Sequence, residues 1–167
     1  MDPEEIISFA LKHCAVQVMF GEAGRRVAVS GFDFAKARTI PRGGVISCEW
    51  TAQMILALEI LTDFYSSRDD TRAATYRRLA RQYFDELQKM IITTPSPAGK
   101  IFPALPYASA AAVDTGHGWR TPKGDRVGSL AATAYFIFAY SGYNPLQAQF
   151  VTNRILYDAR DGSGLNP

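Results

Sequence analysis

Ser47-Cys48-Glu49-Trp50-Thr51-Ala52 opens a long apolar stretch, and Ser129-Leu130-Ala131-Ala132-Thr133-Ala134 opens another 82 residues on. Each copy follows a Thr/Pro/basic/Gly loop: Thr39-Ile40-Pro41-Arg42-Gly43 before the first, Thr121-Pro122-Lys123-Gly124 before the second. The serine is a good helix N-cap, and the recurrence predicts a repeated helical unit. The copies differ at one position of chemical interest, where Glu49 stands against Ala131. An acid in an apolar setting is costly unless something uses it.

Working outward, apolar spacing predicts a helix over about 4–20, carrying Ile6, Ile7, Phe9, Ala10, Cys14 and Met19. A loop over 21–45 follows, with Gly31-Phe32-Asp33-Phe34 as a turn with two aromatic anchors. The helix over 47–65 is apolar nearly all round, which marks it as an inner helix. The next, over 70–92, carries one stripe (Tyr76, Leu79, Ala80, Tyr83, Leu87, Met90, Ile91) with Arg77, Arg78, Arg81, Asp85 and Lys89 facing away, and reads as outer. A long proline-bearing loop over 93–128 leads to a third apolar helix, 129–141, again inner. Asn144-Pro145 then caps a last short helix to about Ala159, and 161–167 reads as a flexible tail. The expected architecture is all-α: helical hairpins of an (α/α) barrel, incomplete in this chain, with residues 1–160 as one helical domain. A four-helix bundle is the competitor, but it requires a polar face on every helix.

Composition narrows the function classes. Apolar residues make up 47% and charged residues 20%, and the net charge of +2 is too small to point to a polyanion, so nucleic acid is not an expected partner. The first residues, Met1-Asp2-Pro3-Glu4-Glu5, are acidic where a secretory signal is basic, and no apolar run reaches the ~20 residues that cross a bilayer. Cys14 and Cys48 form no close-spaced pair, so neither a disulfide framework nor a thiolate metal site is expected. No phosphate loop, dinucleotide fingerprint or metal-ligand spacing occurs, and no cofactor or metal is proposed.

Gly31–Phe34, Cys48-Glu49-Trp50-Thr51-Ala52-Gln53-Met54, and Ser129–Ala139 followed by Gly142-Tyr143-Asn144-Pro145 together resemble motifs of bacterial six-hairpin glycosidase-like proteins. The likeness covers roughly residues 30–145, the final hairpins of that family's toroid. Trp50 replaces the family's glycine, Tyr135 a common tryptophan, and Leu146 a frequent phenylalanine. The resemblance implies a carbohydrate-active, glycoside hydrolase-like domain or fragment. The alternative is a non-catalytic helical module that binds sugar or docks on a protein partner. It also implies a ring this chain cannot close, so self-association or the rest of a longer polypeptide is expected. An isoprenoid cyclase shares the barrel but needs an acidic diphosphate-metal motif or an Asp-rich protonating loop, and neither is present.

The residues expected to carry chemistry are Glu49, Asp114 and His117. Glu49 lies in the first turn of an inner helix, where the helix dipole favours a carboxylate. Asp114-Thr115-Gly116-His117-Gly118-Trp119 is a polar cluster on a glycine frame, with His117 able to shuttle a proton near neutral pH. Glycoside hydrolysis needs two carboxylates, about 5–5.5 Å apart for retention or about 6.5–9.5 Å for inversion. Glu49 and Asp114 are the expected pair. Trp50, Gln53, Tyr107, Trp119 and Arg120 are the expected glycan contacts. Each has a plainer reading: helix capping for Glu49, a satisfied loop carbonyl for Gln53, a tight turn for 114–119, core packing for the aromatics and a solvated loop for Arg120.

Overall fold

The computed structural model describes residues 2–36, 40–95, 98–123 and 127–145. In chain order these form α1 (Pro3–His13), β1 (Ala15–Phe20), β2 (Val27–Phe32), α2 (Cys48–Tyr65), α3 (Asp70–Gln88), β3 (Ile92–Pro95), β4 (Ile101–Ala104) and α4 (Leu130–Ser141). The chain is therefore α/β, and the all-α expectation of a helical-hairpin barrel is overturned. Two antiparallel two-stranded sheets, β1–β2 and β3–β4, stand where helix or loop was expected. Thr39, Gly124, Leu146, the expected last helix and the expected tail lie outside the described residues.

The first correction has a local cause. Asp2 caps α1 by accepting the Glu4 N–H at 2.9 Å, Pro3 sits in the first turn, and Lys12 and His13 close the last. Beyond Cys14 the apolar period changes from helical to alternating: Val16, Val18 and Phe20 turn inward while Ala15, Gln17 and Met19 turn out. Two β-branched residues in that alternation favour the strand. β1 pairs with β2 from Ala15↔Phe32 to Phe20↔Val27.

α2 is the centre of the molecule. Its buried residues, among them Ala52, Ile55, Leu56, Leu58 and Leu61, face α3 on one side and α4 on the other, as its lack of a polar face predicts. α3 buries Ala73, Ala80, Tyr83 and Leu87, while Arg81 pairs with Asp85 on its wet face. It ends at Gln88, four residues before the predicted limit, because Ile92–Pro95 pairs with Ile101–Ala104. α4 departs from the expected inner position: Ala132 and Ala139 are buried, but Leu130 is 87% exposed and Tyr140 76%. α1 is tied to α3 through Glu4, which accepts from Arg72 at 3.1 Å and from the Tyr76 hydroxyl at 2.9 Å.

The doubled sequence phrase is a doubled structural unit. Ser47 and Ser129 both cap their helices, accepting from the backbone N–H of Trp50 and Ala132. Ser47 N–H donates to Phe32 O at 2.8 Å while Phe32 N–H donates to Thr51 Oγ1 at 2.9 Å. In the second copy Ser129 N–H donates to Leu105 O at 2.8 Å while Leu105 N–H donates to Thr133 Oγ1 at 3.1 Å. The repeat thus joins an extended segment to a helix start, satisfying backbone groups that burial would otherwise leave unpaired. Gly31 permits the first of these contacts, since a Cβ there would lie 2.7 Å from Ile46 Cγ2 and 2.9 Å from Thr51 Oγ1.

Candidate functional site

The segment carrying Tyr107 is fastened to the start of α2. Cys48 N–H donates to Tyr107 O at 3.3 Å, Ser109 N–H to Ile46 O at 2.9 Å, and Ile46 N–H to Ser109 Oγ at 2.9 Å. Phe34, Val45 and Ala108 form a small core beneath it, separate from the main one. Above that core four of the expected residues converge. The Phe34 ring meets Trp50 edge-on at 5.3 Å and Trp119 edge-on at 5.4 Å, and stacks on Tyr107 at 5.8 Å. Tyr107 and Trp119 touch edge-on at 5.7 Å, and the His117 ring lies 5.5 Å from Trp50. Phe34 is buried, whereas Trp50 is 37% and Trp119 40% exposed, so the cluster presents aromatic surface to solvent.

The polar residues of α2 border this cradle. Glu49, half-buried, accepts from Gln53 Nε2 at 3.1 Å across one helical turn. The Tyr107 hydroxyl is held above its ordinary pKa, first by burial and then by the negative charge of Glu49.

His117 has a defined partner: its Nε2 lies 2.6 Å from Phe34 O, and since a carbonyl only accepts, Nε2 carries the proton. The turn that bears it is closed by Thr115, whose N–H and hydroxyl both donate to Trp119 O, at 3.1 and 2.7 Å. Gly116 and Gly118 supply the left-handed backbone, each at φ +82°. Asp114 serves this turn as well, its Oδ1 accepting the Gly116 N–H at 2.8 Å. Arg120 points back along the same loop, donating to Ala112 O from Nε at 3.0 Å and Nη2 at 2.6 Å, beside the left-handed Ala112 at φ +54°. Trp50, Tyr107, His117 and Trp119 are therefore brought together, and Glu49 with Gln53 adjoins them. Asp114 and Arg120 organise the turn that carries two of these rings.

Two participants were not among the expected site residues. Asp33, 2% exposed, sits between the anchors Phe32 and Phe34, and its carboxylate receives the Arg42 guanidinium in a fork at 2.9 and 2.5 Å. Phe34, read as an anchor, is the hub of the cradle. An acid between two aromatics in an apolar segment was the available signal for Asp33, because a buried carboxylate requires a cationic partner.

A separate groove of about 580 Å³ runs between α2, α3 and α4, lined among others by Glu59, Asp63, Arg77, Arg81, Phe84 and Tyr140. None of the expected site residues lines it, and its walls mix both signs of charge without a convergent polar set. Among the described residues no group of three or more His, Cys, Asp or Glu is placed to hold a metal ion, and no helix is long and apolar enough to cross a membrane. No protein-family model, curated protein or solved structure matches this chain.

Proposed function

We propose that the cradle at the start of α2 binds a carbohydrate. The observation that carries this reading is the pair of half-exposed indoles, Trp50 and Trp119, held edge-on by a buried Phe34 beside the Glu49–Gln53 pair. Flat aromatic faces accept the apolar C–H face of a sugar ring, and a carboxylate with a neighbouring amide accepts from and donates to hydroxyls. Tyr107 adds a hydroxyl at the same edge. Two of the stretches that resemble six-hairpin glycosidase-like proteins supply this cradle: Gly31–Phe34 gives Phe34, and Cys48–Met54 gives Glu49, Trp50 and Gln53.

Hydrolysis is the second reading. Its support is that Glu49 is half-buried in a first helical turn and that Asp114 belongs to the same turn as His117 and Trp119. In that mechanism one carboxyl protonates the glycosidic oxygen while the other acts as nucleophile or activates water. Release of reducing ends from a glycan panel separates the readings. Hydrolysis predicts release that Glu49→Gln abolishes, whereas pure binding predicts saturable affinity with no release from any glycan.

We also propose that the apolar side chains exposed on α4, Leu130, Ile137 and Tyr140, are covered by a second copy or by the rest of a longer polypeptide.

A further inference from the structure

Arg42 makes contacts in three directions. Its Nη1 and Nη2 grip both oxygens of buried Asp33, at 2.9 and 2.5 Å, and Nη1 also donates to Gly43 O at 2.8 Å. Its Nε donates to the backbone carbonyl of Asp114. Asp33, which follows the last residue of β2, accepts the Val45 N–H on its carboxylate at 3.0 Å and donates its backbone N–H to Cys14 O at 2.8 Å, so it is tied to the approach to α2 and to the residue before β1. One guanidinium, itself nearly buried, therefore links that frame to the 114–120 turn. Beside its ring contacts with Trp50 and Tyr107, the turn reaches the same stretch twice more: His117 Nε2 bonds to Phe34 O, and Gly116 lies against Ile40 with no room for a Cβ.

Resting on the carbohydrate-cradle reading for its ligand, we propose that Asp33 and Arg42 are positioning residues. Their clamp sets where the 114–120 turn stands against α2, and so sets the spacing of Trp119 from Trp50. Neither residue touches the ligand. Arginine is required because its planar fork engages a carboxylate with two N–H groups while Nε stays free for a third acceptor, whereas a lysine ammonium is a point charge.

Trp50 and Trp119 are the only tryptophans of the chain, so indole signals report on the cradle alone and need no ligand. The test compares the wild type with R42K, which keeps a cation beside Asp33, and with D33N/R42Q, which removes both charges together and leaves no unpaired buried carboxylate. Near-UV circular dichroism and acrylamide quenching are read beside far-UV circular dichroism. The clamp predicts an unchanged far-UV spectrum for R42K, a weakened indole band in the near-UV and stronger quenching, with the same changes larger in D33N/R42Q. Glycan affinity of R42K, for any sugar the wild type binds, falls by roughly tenfold, the scale of one misplaced contact. Wild-type indole signals in R42K overturn the proposal. So does collapse of its far-UV spectrum, which would make the pair a support of the whole fold rather than of this turn. If the wild type binds no glycan, the carbohydrate reading fails while the indole signals still decide the clamp.

Discussion

Thr51 Oγ1 accepts the backbone N–H of Phe32 at 2.9 Å and donates its own proton to Ser47 O at 2.7 Å, so one hydroxyl joins the last residue of β2 to the first turn of α2. Thr51 is fully buried, and valine in its place would leave the Phe32 N–H without a partner or water. Thr51→Val is expected to lower unfolding free energy by about 1–3 kcal/mol in urea titrations, with Thr51→Ser close to wild type. Thr133→Val, at the half-buried second copy, is expected to cost less. A Thr51→Val curve that overlays the wild type would show that the bond contributes nothing.

Elements are legible in the sequence where one local signal dominates. Ser47 and Ser129 cap α2 and α4 at the predicted positions, and the α3 stripe places Ala80, Tyr83 and Leu87 inward. They are not legible where two periods abut. The helical apolar residues Ile7 and Leu11 of α1 are followed by the alternating Val16, Val18 and Phe20 of β1, with only Cys14 between the two elements, so helix and strand merge into one apolar stretch. β3 and β4 are four residues each and carry Pro95 and Pro103, which suit the edges of a two-stranded ribbon but read locally as loop. Of the residues singled out by type, the rings of Trp50, Tyr107, His117 and Trp119 lie together. Asp33 was missed because its partner Arg42 lies nine residues away in a segment with no regular period.

The two cysteines are expected to separate by reactivity. Burial raises both thiols, but Cys48 is fully enclosed and lies 3.9 Å from Met90 Sδ, whereas Cys14 is only half-buried and is raised further by Asp33. Thiolate is the reactive form, so a disulfide reagent at pH 8 should titrate Cys14 slowly and Cys48 only after denaturant is added. Two thiols labelled at equal rates without denaturant would contradict this packing.

Glu59, on the groove between α2 and α3, has its carboxyl pKa raised by burial and then by Asp63. A carboxyl whose folded pKa exceeds its unfolded value destabilises when ionised, so the penalty is present above the folded pKa and disappears as pH falls below the unfolded one. The group is partly solvated, which screens the effect. Glu59→Gln is therefore expected to raise Tm by about 1–2 °C at pH 7, and the gain should vanish by about pH 3.5, below the ordinary carboxyl pKa. An equal gain at both pH values would assign it to packing.

Cover of the exposed Leu130, Ile137 and Tyr140 by a second copy predicts self-association. Multi-angle light scattering should give a mass above that of one 18.4 kDa chain at micromolar concentration, falling when Leu130 and Tyr140 are both changed to serine. A monomer across that range would remove self-association from the account.

The central claim is that Trp50, Tyr107 and Trp119 form a sugar-binding face with Glu49 and Gln53 at its edge. Because both tryptophans lie in that face, titrating the chain with a panel of oligosaccharides while following intrinsic emission tests it most directly. The account predicts a saturable shift with at least one glycan, abolished in Trp119→Ala and weakened in Glu49→Gln, with far-UV circular dichroism unchanged. No emission change with any glycan of the panel, or a saturable change that survives Trp119→Ala, would contradict it.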